Sequence, residues 1–279
     1  MTTAAVIGVG AMGTAFVERF HQAGLETVVY DVSQSAVDRA VALGSRAASS
    51  PAEAAKQADV VDVMVLNDKQ VLQVVLGSGG VLEGMEAGKV LLLHSTIHPR
   101  TTLTVADAAL PRGLELADAC ITGRPPIVRA GKATCILGAP DHLVERITPH
   151  LLHLAKQVRH MGPLGTGNAS KIVKNMITGS ERLVIAEGLR IAEAAGVPYP
   201  KILELLRTAW HESVVEHWKD VFDANGASTD PVPSEVLFGK DIPLAEELAV
   251  GYGVDVPIVR ELAAAGRRLQ EAARARRVR

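Results

Sequence analysis

Along the first 160 residues, short apolar runs alternate with segments whose apolar residues recur at helical spacing. The runs 4–8, 27–30, 60–66, 90–93, 114–119 and 134–137 read as strands, and their alternation with helices predicts an α/β fold on a doubly wound parallel sheet. After Gly167 the pattern lengthens into helical segments separated by Gly, Pro and Asn, as at Gly196-Val197-Pro198, Asp223-Ala224-Asn225-Gly226 and Gly251-Tyr252-Gly253. Pro231-Val232-Pro233 reads as a turn within that region. The expected organisation is an α/β domain over 1–162 and an all-α domain over 163–279, joined by a long helix from about 168 to 195. The first turns of that helix are expected to line the cleft between the domains.

With 279 residues, 48% of them hydrophobic and 22% charged, the chain can bury a sizeable core. The formal net charge is −2 and the basic residues are dispersed until the last dozen positions, so no nucleic-acid partner is expected. The cluster Arg267, Arg268, Arg274, Arg276, Arg277 and Arg279 reads as a solvated helix end whose cations complement the helix C-terminus. No uncharged apolar run approaches the roughly 20 residues that cross a bilayer as a helix, so no membrane partner is expected either. The N-terminal residues enter the first strand directly, without a signal-peptide pattern. Cys120 and Cys135 are too few for a disulfide framework, and no Cys/His cluster has metal-ligand spacing. The chain is expected to bind no metal and to be cytoplasmic.

Between the first strand and the first helix stands Gly8-Val9-Gly10-Ala11-Met12-Gly13. Gly8 suits a tight turn, Gly10 a close pyrophosphate approach and Gly13 close helix-to-strand packing, with Ala11 and Met12 completing the loop at the helix N-terminus. Asp31 ends the next strand at about the 20-residue separation expected of an acidic residue that accepts hydrogen bonds from the ribose hydroxyls. The pattern predicts the start of a Rossmann domain that binds NAD or NADP. Asp31 repels a 2′-phosphate, and Val32 and Ser33 supply no guanidinium for one, so NAD is favoured.

A second constellation opens the long helix. Gly162, Gly165 and Gly167 permit tight backbone approach just before it, and Lys171 and Asn175 stand four residues apart on one helix face. An ammonium and a carboxamide so placed converge on a single substrate oxygen, as a proton-transfer pair does.

With these motifs the chain resembles, over nearly its whole length, the β-hydroxyacid dehydrogenase family of the 6-phosphogluconate dehydrogenase superfamily. That family includes 3-hydroxyisobutyrate dehydrogenases and tartronate semialdehyde reductases. His94-Ser95-Thr96-Ile97-His98-Pro99 looks like its Ser-Thr element, which implies that Ser95 and Thr96 lie beside the nicotinamide. Lys240-Asp241 looks like its Lys-Asp pair near the cofactor and active site. Its substrate element, Asp-Ala-Pro-Val-Ser-Gly-Gly, is matched imperfectly by Asp118-Ala119-Cys120-Ile121-Thr122-Gly123-Arg124. Thr122 keeps a hydroxyl and Gly123 a bare backbone N–H, which the resemblance implies hold a carboxylate. Arg124 either forms a bidentate pair with a carboxylate, sulfonate or phosphate of the substrate, or is a surface arginine. Lys174 stands where the family has the first of two asparagines, and Asn67 replaces a proline. Cys120, in the proline position, reads as a small strand side chain rather than a nucleophile.

The resemblance implies reversible oxidation of the alcohol of a small 3-hydroxy acid to its semialdehyde, with Lys171 as general acid/base and Asn175 orienting the oxygen. Burial and a positively charged oxidised nicotinamide are expected to lower the Lys171 pKa. Two other readings stay open. One is an imine reductase, though related imine reductases usually lack the lysine; the other is a non-catalytic NAD(P)-binding scaffold. The resemblance also implies a homodimer or homotetramer, and the apolar content of 203–221 and 258–269 suits either an interface or an internal core. Trp210, His211 and Trp218 read as core or interface packing more than as a substrate lid, and His94 and His98 as locally satisfied residues without a catalytic role.

Overall fold

The computed structural model describes residues 3–209, 237–253 and 255–277. They fall into two compact units, Met1–Lys171 and Ile172–Arg279. The first holds an eight-stranded sheet of β1 (Thr3–Ile7), β2 (Glu26–Tyr30), β3 (Arg46–Ala47), β4 (Val60–Val63), β5 (Val90–Leu93), β6 (Glu115–Thr122), β7 (Ala133–Gly138) and β8 (Ala155–Gly162), in the order β3-β2-β1-β4-β5-β6-β7-β8. Helices α1 (Ala11–Gln22), α2 (Gln34–Ala42), α3 (Pro51–Lys56), α4 (Asp68–Leu76), α5 (Val81–Gly84), α6 (Pro99–Ala109), α7 (Pro125–Arg129) and α8 (Asp141–Leu154) lie between the strands in sequence.

The expectation of a sheet parallel throughout is corrected at one seam. Pairing is parallel from β3 to β6 and between β7 and β8, but β6 and β7 run antiparallel. Only residues 123–132 connect β6 to β7, too few for the crossover of a dozen or more residues that a parallel pair requires. Strand β4 also stops at Val63 rather than running to residue 66, and β3 and β8 carry no apolar run that announces them. Strand β8, Ala-Lys-Gln-Val-Arg-His-Met-Gly, is an edge strand with mostly exposed residues, and charge on such an edge opposes pairing with another chain.

Apolar side chains bury both faces of the sheet. Phe16 and Phe20 of α1 and Leu143 and Leu151 of α8 pack on one face; Val71 and Val75 of α4 and Val105 of α6 pack on the other. Each large side chain so buried contributes about 1.5–3 kcal/mol. Helix starts are set locally: Asn67, in place of the proline, caps α4 by accepting from the Gln70 N–H at 3.0 Å. The strand order reverses between β1 and β4, which opens a crevice at the carboxyl ends of those two strands.

One polar cluster interrupts the core. The Asp62 carboxylate on β4 lies 2.7 Å from Nε2 of His94 and 3.0 Å from Nε2 of His150, and all three residues are buried. The other His94 nitrogen, Nδ1, donates to the Ala119 carbonyl at 2.7 Å. His94 and His150 are thus satisfied locally, and their rings pack on Phe16 and Phe20.

Every secondary-structure element among the described residues of the second unit is helical. The unit contains the part of α9 (Thr166–Ala194) from Ile172 onward, α10 (Tyr199–Ala209), a π-helical turn Leu237–Asp241, and the helices Ile242–Gly251 and Pro257–Arg277. Ile185 and Leu189 pack with Tyr199, Ile202 and Leu203. Among the described residues no helix is long and apolar enough to cross a membrane. Trp210, His211, Trp218 and the turns expected at 223–226 and 231–233 lie outside the described residues.

Candidate functional site

The glycine loop follows β1 into α1 at the sheet's switch point. A Cβ on Gly8 would meet the Met64 carbonyl oxygen at 2.3 Å, and one on Gly13 would meet the Gly8 carbonyl oxygen at 1.9 Å, so both positions exclude side chains. At Gly10, by contrast, a Cβ would meet nothing within 4 Å. That open space sits at the N-cap of α1, where no side chain caps the helix and the Ala11, Met12 and Gly13 N–H groups precede the first intrahelical bond, Thr14 N–H to Gly10 O at 2.9 Å. These backbone donors and the helix dipole could hold a pyrophosphate.

Asp31 ends β2 with a half-buried carboxylate. It accepts from the Val9 N–H at 2.8 Å through Oδ2 and from the Ser33 N–H at 2.8 Å through Oδ1, so it braces the glycine loop as well as presenting charge beside it. Ser95 is buried; its hydroxyl donates to the Val65 carbonyl at 2.7 Å and accepts from the Val65 N–H at 3.0 Å, clamping together the loops after β4 and β5. Thr96 is half-buried next to it.

Strand β6 carries the next group. Thr122 is its last residue, Gly123 turns the chain with φ +134°, and the exposed Arg124 is the N-cap of α7. Lys171, 9% exposed in the second turn of α9, donates from Nζ to the Ile121 carbonyl at 2.8 Å. Its ammonium is therefore fixed one residue before Thr122-Gly123-Arg124. Buried Cys120 donates its thiol proton to Asn168 Oδ1 at 3.2 Å, and burial pushes the Cys135 thiol far up; both fit small strand side chains.

In the second unit, Asn175, Lys240 and Asp241 come together. The Asn175 carboxamide donates to Asp241 Oδ2 at 2.8 Å, and Lys240 Nζ lies 3.4 Å from Asp241 Oδ1. Asp241 is 4% exposed, so it holds the orientation of Asn175 in a water-poor setting. Desolvation lowers the pKa of Lys174, against the raising influence of Glu181 and Asp241.

Sequence reasoning missed Asp118 as a working residue. It is fully buried on β6 and accepts from the Gly165 N–H at 2.7 Å and the Asn168 N–H at 2.6 Å. Burial pushes its carboxyl up to about 6 against the lowering influence of those donors. The sequence signal was an aspartate flanked by Leu116-Ala117 and Ala119-Cys120-Ile121, where an unpaired carboxylate is too costly to bury. Asp62 in β4 carried the same signal.

Residues 3–162 match the family model described as the NAD binding domain of 6-phosphogluconate dehydrogenase, and residues 165–277 match that described as NAD-binding of NADP-dependent 3-hydroxyisobutyrate dehydrogenase. The NAD-dependent L-serine dehydrogenase of Pseudomonas aeruginosa is 31% identical over 255 residues, 89% of this chain and 86% of that protein. The 3-hydroxyisobutyrate dehydrogenase of the same organism is 32% identical over 233 residues, 82% of this chain and 78% of that one. The solved structure of Mycobacterium tuberculosis 3-hydroxyisobutyrate dehydrogenase with L-serine has the same fold, with a TM-score of 0.87 at 24% identity over 96% of this chain and 94% of that one. A dinucleotide cradle on the first unit and sequence matches that continue through the second leave one assignment: the chain belongs to the β-hydroxyacid dehydrogenase family and is an NAD(P)-dependent oxidoreductase acting on hydroxyl groups.

Proposed function

We propose that the protein interconverts a small 3-hydroxy acid and its semialdehyde, with Lys171 as general acid/base. The observation that carries this reading is the buried Lys171 ammonium, anchored to Ile121 O at 2.8 Å directly before Thr122-Gly123-Arg124. In oxidation the neutral amine of Lys171 takes the hydroxyl proton, and in reduction the ammonium returns it to the developing alkoxide, so one residue serves both directions. Asn175, one helical turn further along α9 and held by Asp241, orients the reacting oxygen. Thr122 and the Gly123 N–H hold the substrate acid group, and Arg124 adds a planar fork of donors suited to carboxylate, sulfonate or phosphonate. The acid class follows from that chemistry and from the relatives, one named for L-serine and one for 3-hydroxyisobutyrate.

The cofactor, when bound, accepts the hydride from the carbinol carbon or returns it to the carbonyl. Gly8, Gly10, Ala11, Met12 and Gly13 hold its pyrophosphate; Ser95 and Thr96 shape the loop on the nicotinamide side; Lys240 and Asp241 complete the binding set. Asp31 gives the preference for NAD over NADP by repelling a 2′-phosphate. The same reading makes the protein a cytoplasmic homodimer or homotetramer, and two buried cysteine thiols suit a reducing compartment.

The test is reduction of NAD, and separately NADP, by purified protein with a panel of short 3-hydroxy acids, L-serine and sulfonate and phosphonate analogues, beside a Lys171→Met control. Turnover of one panel member that disappears in Lys171→Met, with NAD binding kept, is the expected result. Near-normal turnover in the variant, or silence of the wild type across the panel with NAD bound, overturns the proposal.

A further inference from the structure

The start of α9 has an unusual anchor. Helix N-termini are ordinarily capped by the side chain of the residue just before them, which satisfies the orphan N–H groups without tying the helix to anything else. Here the donors are taken by a carboxylate from another element. Asp118, in β6, accepts from Gly165 and Asn168 through separate oxygens, and the Gly167 N–H also faces the carboxylate. The approach is too close for side chains: a Cβ on Gly138, the β7 partner of Asp118, would lie 2.5 Å from Oδ1, and one on Gly167 would lie 2.8 Å from Oδ2.

Three further hydrogen bonds fix the rotation of the same turns. Asn168 accepts from the Ile97 N–H at 3.0 Å and donates to Thr102 Oγ1 at 3.2 Å, and Lys171, three residues on and hence on the same helix face, donates to Ile121 O. Asp118 and Ile121 are themselves three residues apart on β6, about 10 Å along an extended strand. Strand and helix thus touch at two matched points, the carboxylate at the helix start and the ammonium one turn further on.

We infer that Asp118 is the positioning residue for Lys171: by capping α9 from β6, its carboxylate sets where along the strand the lysine ammonium is delivered. The inference rests on the proposed proton-transfer role of Lys171 only for its effect on turnover. A local cap at residues 163–165 would satisfy the same N–H groups without tying the helix start to β6; Asp118 ties it. Asparagine in its place keeps one acceptor and turns an N–H donor toward a backbone N–H, so one of the two bonds is lost.

Three measurements on the full chain test this. In wild-type protein, amide hydrogen exchange at Gly165, Gly167 and Asn168 is expected to be slowed more than about 100-fold; exchange at the rate of an open loop overturns the inference, whether or not the Asp118→Asn variant folds. NMR of the lysine ammonium groups, with the Lys171 signal assigned by its loss in Lys171→Met, is expected to show that signal and its titration midpoint displaced in Asp118→Asn; an undisplaced signal overturns it. Steady-state kinetics of Asp118→Asn are expected to show kcat down about 100-fold, the loss typical of a misplacement of about 1 Å, with KM for NAD unchanged; a loss confined to KM overturns it. Turnover retained in Lys171→Met refutes the acid/base reading alone, because exchange and the ammonium signal report positioning independently.

Discussion

Replacing Asp62 by alanine tests the charge buried beneath the proposed site. Burial by itself would raise the Asp62 carboxyl, but the charges and hydrogen bonds of His150 and His94 outweigh it and hold the group well below the usual carboxylate range. The Ala119 carbonyl can only accept, so His94 Nδ1 donates to it, and His94 Nε2 lies 2.7 Å from Asp62 Oδ1. His150 donates to both carboxylate oxygens, at 3.1 and 3.0 Å. Asp62→Ala leaves two buried imidazoles without their acceptor. Breaking one side of a buried pair costs about 3–5 kcal/mol. For a domain of this size that lowers the melting temperature by about 6–20 °C, at about 2–4 °C per kcal/mol. Circular dichroism on heating and in urea at pH 7 measures it. Because the folded value is depressed, the contribution of Asp62 is present above about pH 4 and is lost as pH falls further. The deficit of Asp62→Ala is therefore flat from pH 5 to 8 as far as Asp62 is concerned, and shrinks in acid. The combined replacement Asp62→Val, His94→Leu and His150→Leu is expected to recover most of the loss, since an apolar core at that volume needs no compensation. A deficit under about 1 kcal/mol in Asp62→Ala refutes the assignment of a buried ion pair.

Three other outcomes follow from the geometry. Gly13→Ala drives a Cβ to 1.9 Å from Gly8 O, so NAD affinity by fluorescence titration is expected to fall more than about 100-fold, about 2.8 kcal/mol; an unchanged Kd contradicts the cradle. Asp31→Ala removes the acceptor of the Val9 and Ser33 N–H groups and the charge that opposes a 2′-phosphate. Calorimetry is expected to show NAD binding weakened about tenfold, with NADP binding unchanged or tighter; a parallel loss for both cofactors contradicts the preference. Asp118 makes stability depend on pH in the opposite sense to Asp62. Burial raises its folded value from 3.8 to about 6, so the folded state holds the proton more tightly, and stability falls by about 3 kcal/mol as pH rises from about 4 to about 6. Urea midpoints of the wild type minus those of Asp118→Asn isolate that slope, and a rising difference refutes it.

The chain's periodicity located six of the eight strands, because a strand covered on both faces is a continuous apolar run, as in Val90–Leu93, where every residue is buried. It could not announce Arg46–Ala47, two exposed residues, or the polar edge strand Ala155–Gly162. The antiparallel seam at β6 and β7 was hidden, because the apolar runs 114–119 and 134–137 leave 14 positions between them, enough for a parallel crossover, where the folded strands leave 10. Of the residues named from the sequence, the glycine loop and Asp31 were picked out by local spacing and Lys171 and Asn175 by sharing one helix face, whereas Ser95 and Thr96 were named only through the family resemblance.

What the sequence determined alone is what short-range geometry dictates: strand and helix periods, the spacing of Gly8, Gly10 and Gly13 between the first strand and the first helix, and the four-residue interval between Lys171 and Asn175. What only the tertiary structure decided is which buried charge meets which partner. Asp118 and Gly165 are 47 positions apart, Asp62 and His150 are 88, and Asn175 and Asp241 are 66. No periodicity relates such residues. A buried carboxylate must find donors to leave water, but many arrangements of the chain supply them, and only the packed sheet selects one.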